Sequence, residues 1–269
     1  MPEISGLLIL AYHNIGEAWC MPSAGPDGVT VFAEQMNQLL RSVEIVPLES
    51  ALYSLFAGRP LPDRAVSITF DDGYRDILDL AAPILANRNI QSTAFLVPGF
   101  LSGNAEAWWE RLGRAIRCAR ASYVDFGEQR LPLHGAQDRM RTVRTVEESV
   151  KALNHKARVA VVEDLVHQAN PAGEYAHADL FLDWQGAREL VARGVAIGSH
   201  TLDHCILARE DDAHQCSCLA RSRRLLHDEL NVPAEMVAFP SGQRGDYSTR
   251  LLHFVASWAG VTVAEAAGT

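Results

Sequence analysis

The 269-residue chain has no apolar run near the roughly 18 residues of a membrane helix. It also has no basic, apolar leader. Met1-Pro2-Glu3-Ile4-Ser5-Gly6 carries no cation, and the stretch from Leu7 to Ala11 is too short for a signal-peptide core. A cytoplasmic protein without a membrane span is expected. Basic residues are scarce: 24 Lys and Arg stand against 33 Asp and Glu, a net charge of -9 that argues against nucleic acid as a partner. The five cysteines are odd in number and lack framework spacing, which argues against a disulfide scaffold. Cys216-x-Cys218 lacks the two-residue gap of common zinc and redox pairs and reads as ordinary helix thiols. There is no internal repeat and no low-complexity segment. What is present is 48% hydrophobic and 21% charged, the balance of a globular protein, in a length that suits one large α/β domain over 1–269.

Apolar runs alternate with helical patterns. Strands are expected at Gly6 to Tyr12, Ala65 to Phe70, Thr93 to Val97, Val195 to Gly198, Met236 to Phe239 and Val261 to Ala264. Helices are expected at Val31 to Ser42, Arg75 to Arg88, Ala213 to Leu230 and Ser248 to Ala259. That alternation with apolar strands predicts a parallel sheet. Polar residues follow the strand ends: His13, Asp71-Asp72, His200 and Pro240-Ser241-Gly242. Chemistry gathered at the C-terminal mouth of several parallel strands favours a β/α barrel over an open sheet. The stretch from about 103 to 183 breaks the rhythm and reads as an insertion at that mouth, which either shapes a substrate cleft or caps the barrel. It is expected to hold a strand pair near Tyr123 to Leu133 and one long helix from Val146 to His167. Trp108, Trp109 and Trp184 are expected to pack it, with stacking on sugar rings as the alternative, and Glu147-Glu148 to open a solvated helix.

Ser67-Ile68-Thr69-Phe70-Asp71-Asp72-Gly73 runs a buried strand into two adjacent carboxylates. Like charges there repel, and a bound cation would hold one of them ionised. The bland reading is a helix cap by Asp72. Gly198-Ser199-His200-Thr201-Leu202-Asp203-His204 offers the partners, two histidines four apart, about one helical turn. One carboxylate with two histidines is a ligand set for a hydrolytic metal site with an open position. Cys205 follows His204 directly and is expected near the site but redundant as a ligand.

Thr69-Phe70-Asp71-Asp72-Gly73 together with His200-Thr201-Leu202-Asp203-His204 resembles the polysaccharide deacetylase family, also called the NodB-homology or carbohydrate esterase 4 family. Ile9-Leu10-Ala11-Tyr12-His13, Ser92-Thr93-Ala94-Phe95, Arg193 to Gly198 and Ala238-Phe239-Pro240-Ser241-Gly242 extend the likeness in order along the chain. The resemblance implies a distorted (β/α) barrel and metal-dependent removal of an N-acetyl group from an amino sugar. By position it implies that Asp72, His200 and His204 hold the metal, zinc first, with cobalt or nickel as substitutes. It makes Asp71 the general base and gives the Ser241 N–H to the oxyanion. Two departures stand out. The third motif has Ala238 where the arginine-bearing form has the residue that orients the base, and the late motif with the general-acid histidine is not recognisable. His13, at a strand mouth, is the candidate acid. The expected substrate is an N-acetylated carbohydrate or small N-acyl compound. The alternatives are hydrolysis of another non-peptide C–N bond, in a cyclic ureide or imide, and a catalytically silent barrel that binds metal or sugar.

Overall fold

A computed structural model describes residues 6–16, 18, 27–173 and 175–257. Its centre is a parallel sheet of β1 (Leu8–Tyr12), β2 (Glu44–Ile45), β3 (Ala65–Phe70), β4 (Ser92–Leu96) and β7 (Ala196–Ser199), in the order β1-β3-β4-β7 with β2 also on β3. Every residue of β3 is buried, as a strand covered on both faces requires. Its register sets Tyr12 opposite Phe70 and Ala94 opposite Phe70. On β4, Leu96 stands opposite Ser199. The chain therefore leaves β1, β3 and β7 on one side, and the expected polar residues start there. Gly198 allows β7 to close on β4, because a Cβ at that position would lie 2.5 Å from the Phe95 ring.

Helices α1 (Gly28–Ser42), α2 (Leu48–Phe56), α9 (Trp184–Ala192) and α10 (Asp212–Leu230) accompany the sheet. Phe32 of α1 meets Tyr12 edge-on at 5.1 Å between ring centroids. Asp211 caps α10 by accepting from the His214 N–H at 2.8 Å, and Asn231 ends it in the left-handed conformation at φ 54°. Among the described residues no hydrogen bonds close the sheet into a barrel, and no helix is long and apolar enough to cross a membrane.

Several expectations need correction. Arg75 to Arg88 is not one α-helix: a π-helical turn at Ile77–Ala81 runs into α3 (Ala82–Ala86). The strand expected at Met236 to Phe239 shrinks to a parallel bridge of Ser199 with Val237. His200 to His204 is an irregular loop rather than a helical turn, so the histidines converge through backbone reversals at Thr201 (φ 67°) and His204 (φ 56°). The last helix among the described residues is α11 (Thr249–Ala256), and the strand expected at Val261 to Ala264 lies outside them.

The inserted stretch is mostly helical. After α4 (Pro98–Leu101) it contains α5 (Trp108–Arg117), the hairpin of β5 (Tyr123–Phe126) and β6 (Gln129–Pro132), α6 (Ala136–Val150), α7 (His155–Ala169) and α8 (His177–Leu180). The single helix expected from Val146 to His167 is two, broken at 151–154, where Asn154 caps α7 by accepting from the Ala157 N–H. Glu147 thus sits near the end of α6, not at a helix start. One buried apolar cluster runs from the sheet residues Ile68 and Phe70 into Leu112, Val146 and Leu165 of the insertion.

Candidate active site

The turn after β3 separates the two carboxylates. Asp72 takes a left-handed backbone at φ 71° and Gly73 follows at φ 83°. Asp and Asn tolerate that region better than other side-chain-bearing residues. The reversal sends Asp72 inward, 2% exposed, while Asp71 stays partly open in the cleft. Asp72 therefore caps no helix. Its neighbours pin the turn: the Leu182 N–H donates to Gly73 O at 2.9 Å and the Arg75 N–H to Leu180 O at 2.7 Å.

Asp72 Oδ1 lies 3.4 Å from His200 Nε2 and 3.1 Å from His204 Nε2. Donors about 2.0–2.2 Å from one tetrahedral ion stand about 3.3–3.6 Å apart. The spacing and the carboxylate–imidazole chemistry both fit a divalent metal. His200 Nδ1 lies 2.9 Å from Ala238 O, and donation to that carbonyl leaves the Nε2 lone pair facing Asp72, where it could ligate a metal. His204 packs against Trp109 at 4.4 Å between ring centroids. Burial raises the Asp72 pKa, but the imidazoles of His204 and His200 outweigh it and hold the carboxyl far below the ordinary range. Burial lowers His204. For His200 burial also pulls down, but Asp72 and Asp71 overcome it and the net shift is upward. Asp71 is pushed up, chiefly by burial, against the pull of His200.

His13, Asp71, Asp72, His200, His204 and Ser241 all line one cleft of about 380 Å³. The loop carrying His13 is tied down by Asp76, whose Oδ2 accepts from the N–H groups of Ile15 at 2.6 Å and Gly16 at 2.7 Å. Ser241 is left-handed at φ 64° and exposed. Thus the structure brings every residue expected from the sequence to one place. Asp71 Oδ1 is buried and has no hydrogen-bond partner, as the absence of an arginine at 238 anticipates.

Sequence reasoning left open whether the insertion shapes the cleft, weighed its tryptophans for stacking, and did not single out Lys151 or Arg158. Trp108, Glu147, Lys151 and Arg158, all from the insertion, line the same cleft. Trp109 does so too, with its indole N–H donating to Tyr74 Oη at 2.9 Å, while Tyr74 donates to Glu110 at 2.8 Å. Arg158 is fully buried; it donates to Val150 O at 3.2 Å and Leu153 O at 2.8 Å, and its Nη1 has no acceptor. One signal could have found it. Arg158 lies on the stripe of Val162, Leu165 and Ala169, where a charge interrupts an apolar face.

A carboxylate and two imidazoles at the mouth of a parallel sheet, with a second carboxylate beside them, form an α/β site whose side chains could hold a metal ion. The chain matches the polysaccharide deacetylase family over residues 58–118 and 138–263 and belongs to that family. Membership supports a hydrolase that de-N-acetylates a carbohydrate. Among solved structures, the Streptococcus pyogenes deacetylase PplD in complex with acetate matches at 16% identity and a TM-score of 0.57, over 94% of this chain and 80% of that one. IcaB from Ammonifex degensii matches at 18% identity and a TM-score of 0.55, over 94% and 81%. A de-N-acetylase from Aggregatibacter actinomycetemcomitans matches at 14% and 0.53, over 94% and 84%. At these identities the likeness is one of fold. No curated protein matches the chain.

Proposed function

We propose that the protein is a metal-dependent deacetylase that removes an N-acetyl group from an amino-sugar-containing substrate. The meeting of Asp71, Asp72, His200 and His204 at one cleft carries this reading. Asp72, His200 and His204 would hold a divalent ion, zinc by donor set, with cobalt or nickel as replacements. When bound, such an ion supplies a Lewis acid for the amide carbonyl and a water of lowered pKa.

The chain's own groups have separate tasks. Asp71 accepts the proton of the attacking water; its Oδ1 has no competing partner, and its raised proton affinity suits a base. Asp72 stays ionised beside it. The Ala238 carbonyl holds the His200 ring in one orientation. The Ser241 N–H donates to the oxyanion, and His13 returns a proton to the leaving nitrogen.

The test is acetate release from N-acetylated sugars, nucleotide sugars and small amides, by protein stripped of metal and then reloaded with zinc, cobalt or nickel. Release that requires metal and an amino sugar is the expected result. Opening of cyclic ureides or imides without acetate release would replace the proposal with the other C–N hydrolysis. Metal uptake with no turnover on either panel would leave a binding barrel.

A further inference from the structure

A second group of metal-ligating side chains lies behind the histidine motif. Asp203, Cys205, His214 and Cys218 each offer a donor atom, and all four atoms lie within 4.8 Å of one another. We propose that these four residues form a second metal site, which takes a zinc-type ion and ties the loop after His204 to α10.

Geometry is the first support. Cys205 Sγ and Cys218 Sγ are 3.4 Å apart, and Cys218 Sγ is 3.8 Å from Asp203 Oδ1. Donors about 2.0–2.3 Å from one tetrahedral ion stand about 3.3–3.8 Å apart. His214 and Cys218 are four residues apart on α10 and so share a face. Asp203 and Cys205 flank His204, whose left-handed backbone turns its ring toward Asp72. The flanking side chains meet Cys218, so one short loop serves two clusters.

The surroundings are the second support. The Leu202 N–H donates to Cys218 Sγ at 3.3 Å, a contact that stabilises a thiolate. His155 Nε2 lies 3.8 Å from Asp203 Oδ2, leaving Oδ1 toward the sulfur. Two thiolates and a carboxylate around a dication leave a single negative charge. Arg158, buried with an unpartnered Nη1, is within electrostatic reach of Cys205 and Asp203. A buried cation needs nearby negative charge, and the metal-loaded cluster supplies it. Two thiolates with imidazole and carboxylate form a soft, mixed set that suits zinc over magnesium or calcium.

Metal content and the absorption of the cobalt(II)-loaded full chain test the site. The expected result is two equivalents per chain and a thiolate-to-cobalt charge-transfer band, which the Asp72 cluster cannot give. Cys218→Ser should abolish the band and leave one equivalent. Asp72→Asn should lose the other equivalent and keep the band. His214→Ala, a change at an exposed position, should weaken cobalt binding at the sulfur site at least about tenfold and guards against misfolding in the cysteine variant. One equivalent without a thiolate band would overturn the proposal. So would a Cys205–Cys218 disulfide in the purified chain, a band unchanged in Cys218→Ser, or a cobalt affinity at the sulfur site unchanged in His214→Ala.

Discussion

The two walls of the cleft are held by different means. At the sheet mouth the backbone does the positioning. Asp72, Thr201, His204 and Ser241 adopt left-handed conformations, which store strain and persist only where the surroundings over-determine them. His200 is oriented by a carbonyl and the His13 loop by two N–H groups that donate to Asp76. On the insertion side long side chains do it. Arg114 reaches Ala172 O at 2.7 Å, Arg139 reaches Leu133 O and Ala119 O at 3.0 Å each, and Arg158 reaches Val150 O and Leu153 O. These guanidinium groups satisfy carbonyls that helix ends and loops leave open. Substitutions at the sheet mouth should therefore cost chemistry, and substitutions in the insertion should cost stability.

Four variants test that division, from the largest effect down. Asp72→Asn keeps a residue tolerant of positive φ but removes the ligand charge; bound metal and turnover should both be lost, read by metal analysis and acetate release. If the metal content stays whole, the ligand assignment is wrong. Asp71→Asn should lower turnover about 10²–10⁴-fold with metal content unchanged, and a near-normal rate would remove it as the base. Arg158→Met should take the guanidinium donor from Leu153 O and leave Val150 O only the Leu153 N–H, at a cost of about 2–4 kcal/mol in urea denaturation, while kcat falls less than about tenfold. A kcat loss matching that of Asp71→Asn would erase the distinction between the walls. Lys151→Ala, at an exposed position of the cleft, should change stability by less than about 0.5 kcal/mol; a larger shift in Tm would mean that the insertion depends on that contact.

The same division explains what the sequence made legible. Six consecutive buried residues of β3 announce a parallel strand, and the carboxylate pair and histidine pair lie in short local motifs at strand ends. Strand register brings these motifs to one end of the sheet, and the reversals at Asp72, Thr201 and His204 complete their convergence. The insertion offers no such register. The break between α6 and α7 contains neither Gly nor Pro, so an amphipathic pattern reads straight through it, and only Asn154 marks a new helix start. Glu147 and Lys151 reach the cleft because of how two helices cross, which spacing along one helix does not encode. Cys205 and Cys218 lie 13 positions apart on a loop and a helix. They meet only because α10 packs beside β7. The expected strand at Met236 to Phe239 keeps only enough pairing to bring the Ala238 carbonyl to His200.

That carbonyl has a genetic consequence. A side-chain acceptor can be deleted by one codon change, whereas every amino acid at position 238 brings the same C=O. Drift at Ala238 therefore cannot erase the group that sets the His200 tautomer. It can only shift the backbone that carries it, and two hydrogen bonds flanking the position resist that shift: the Ser199 N–H donates to Met236 O, and the Ala238 N–H donates to Ser199 O. Position 238 is thus free to vary its side chain while the imidazole that its carbonyl holds is inherited unchanged.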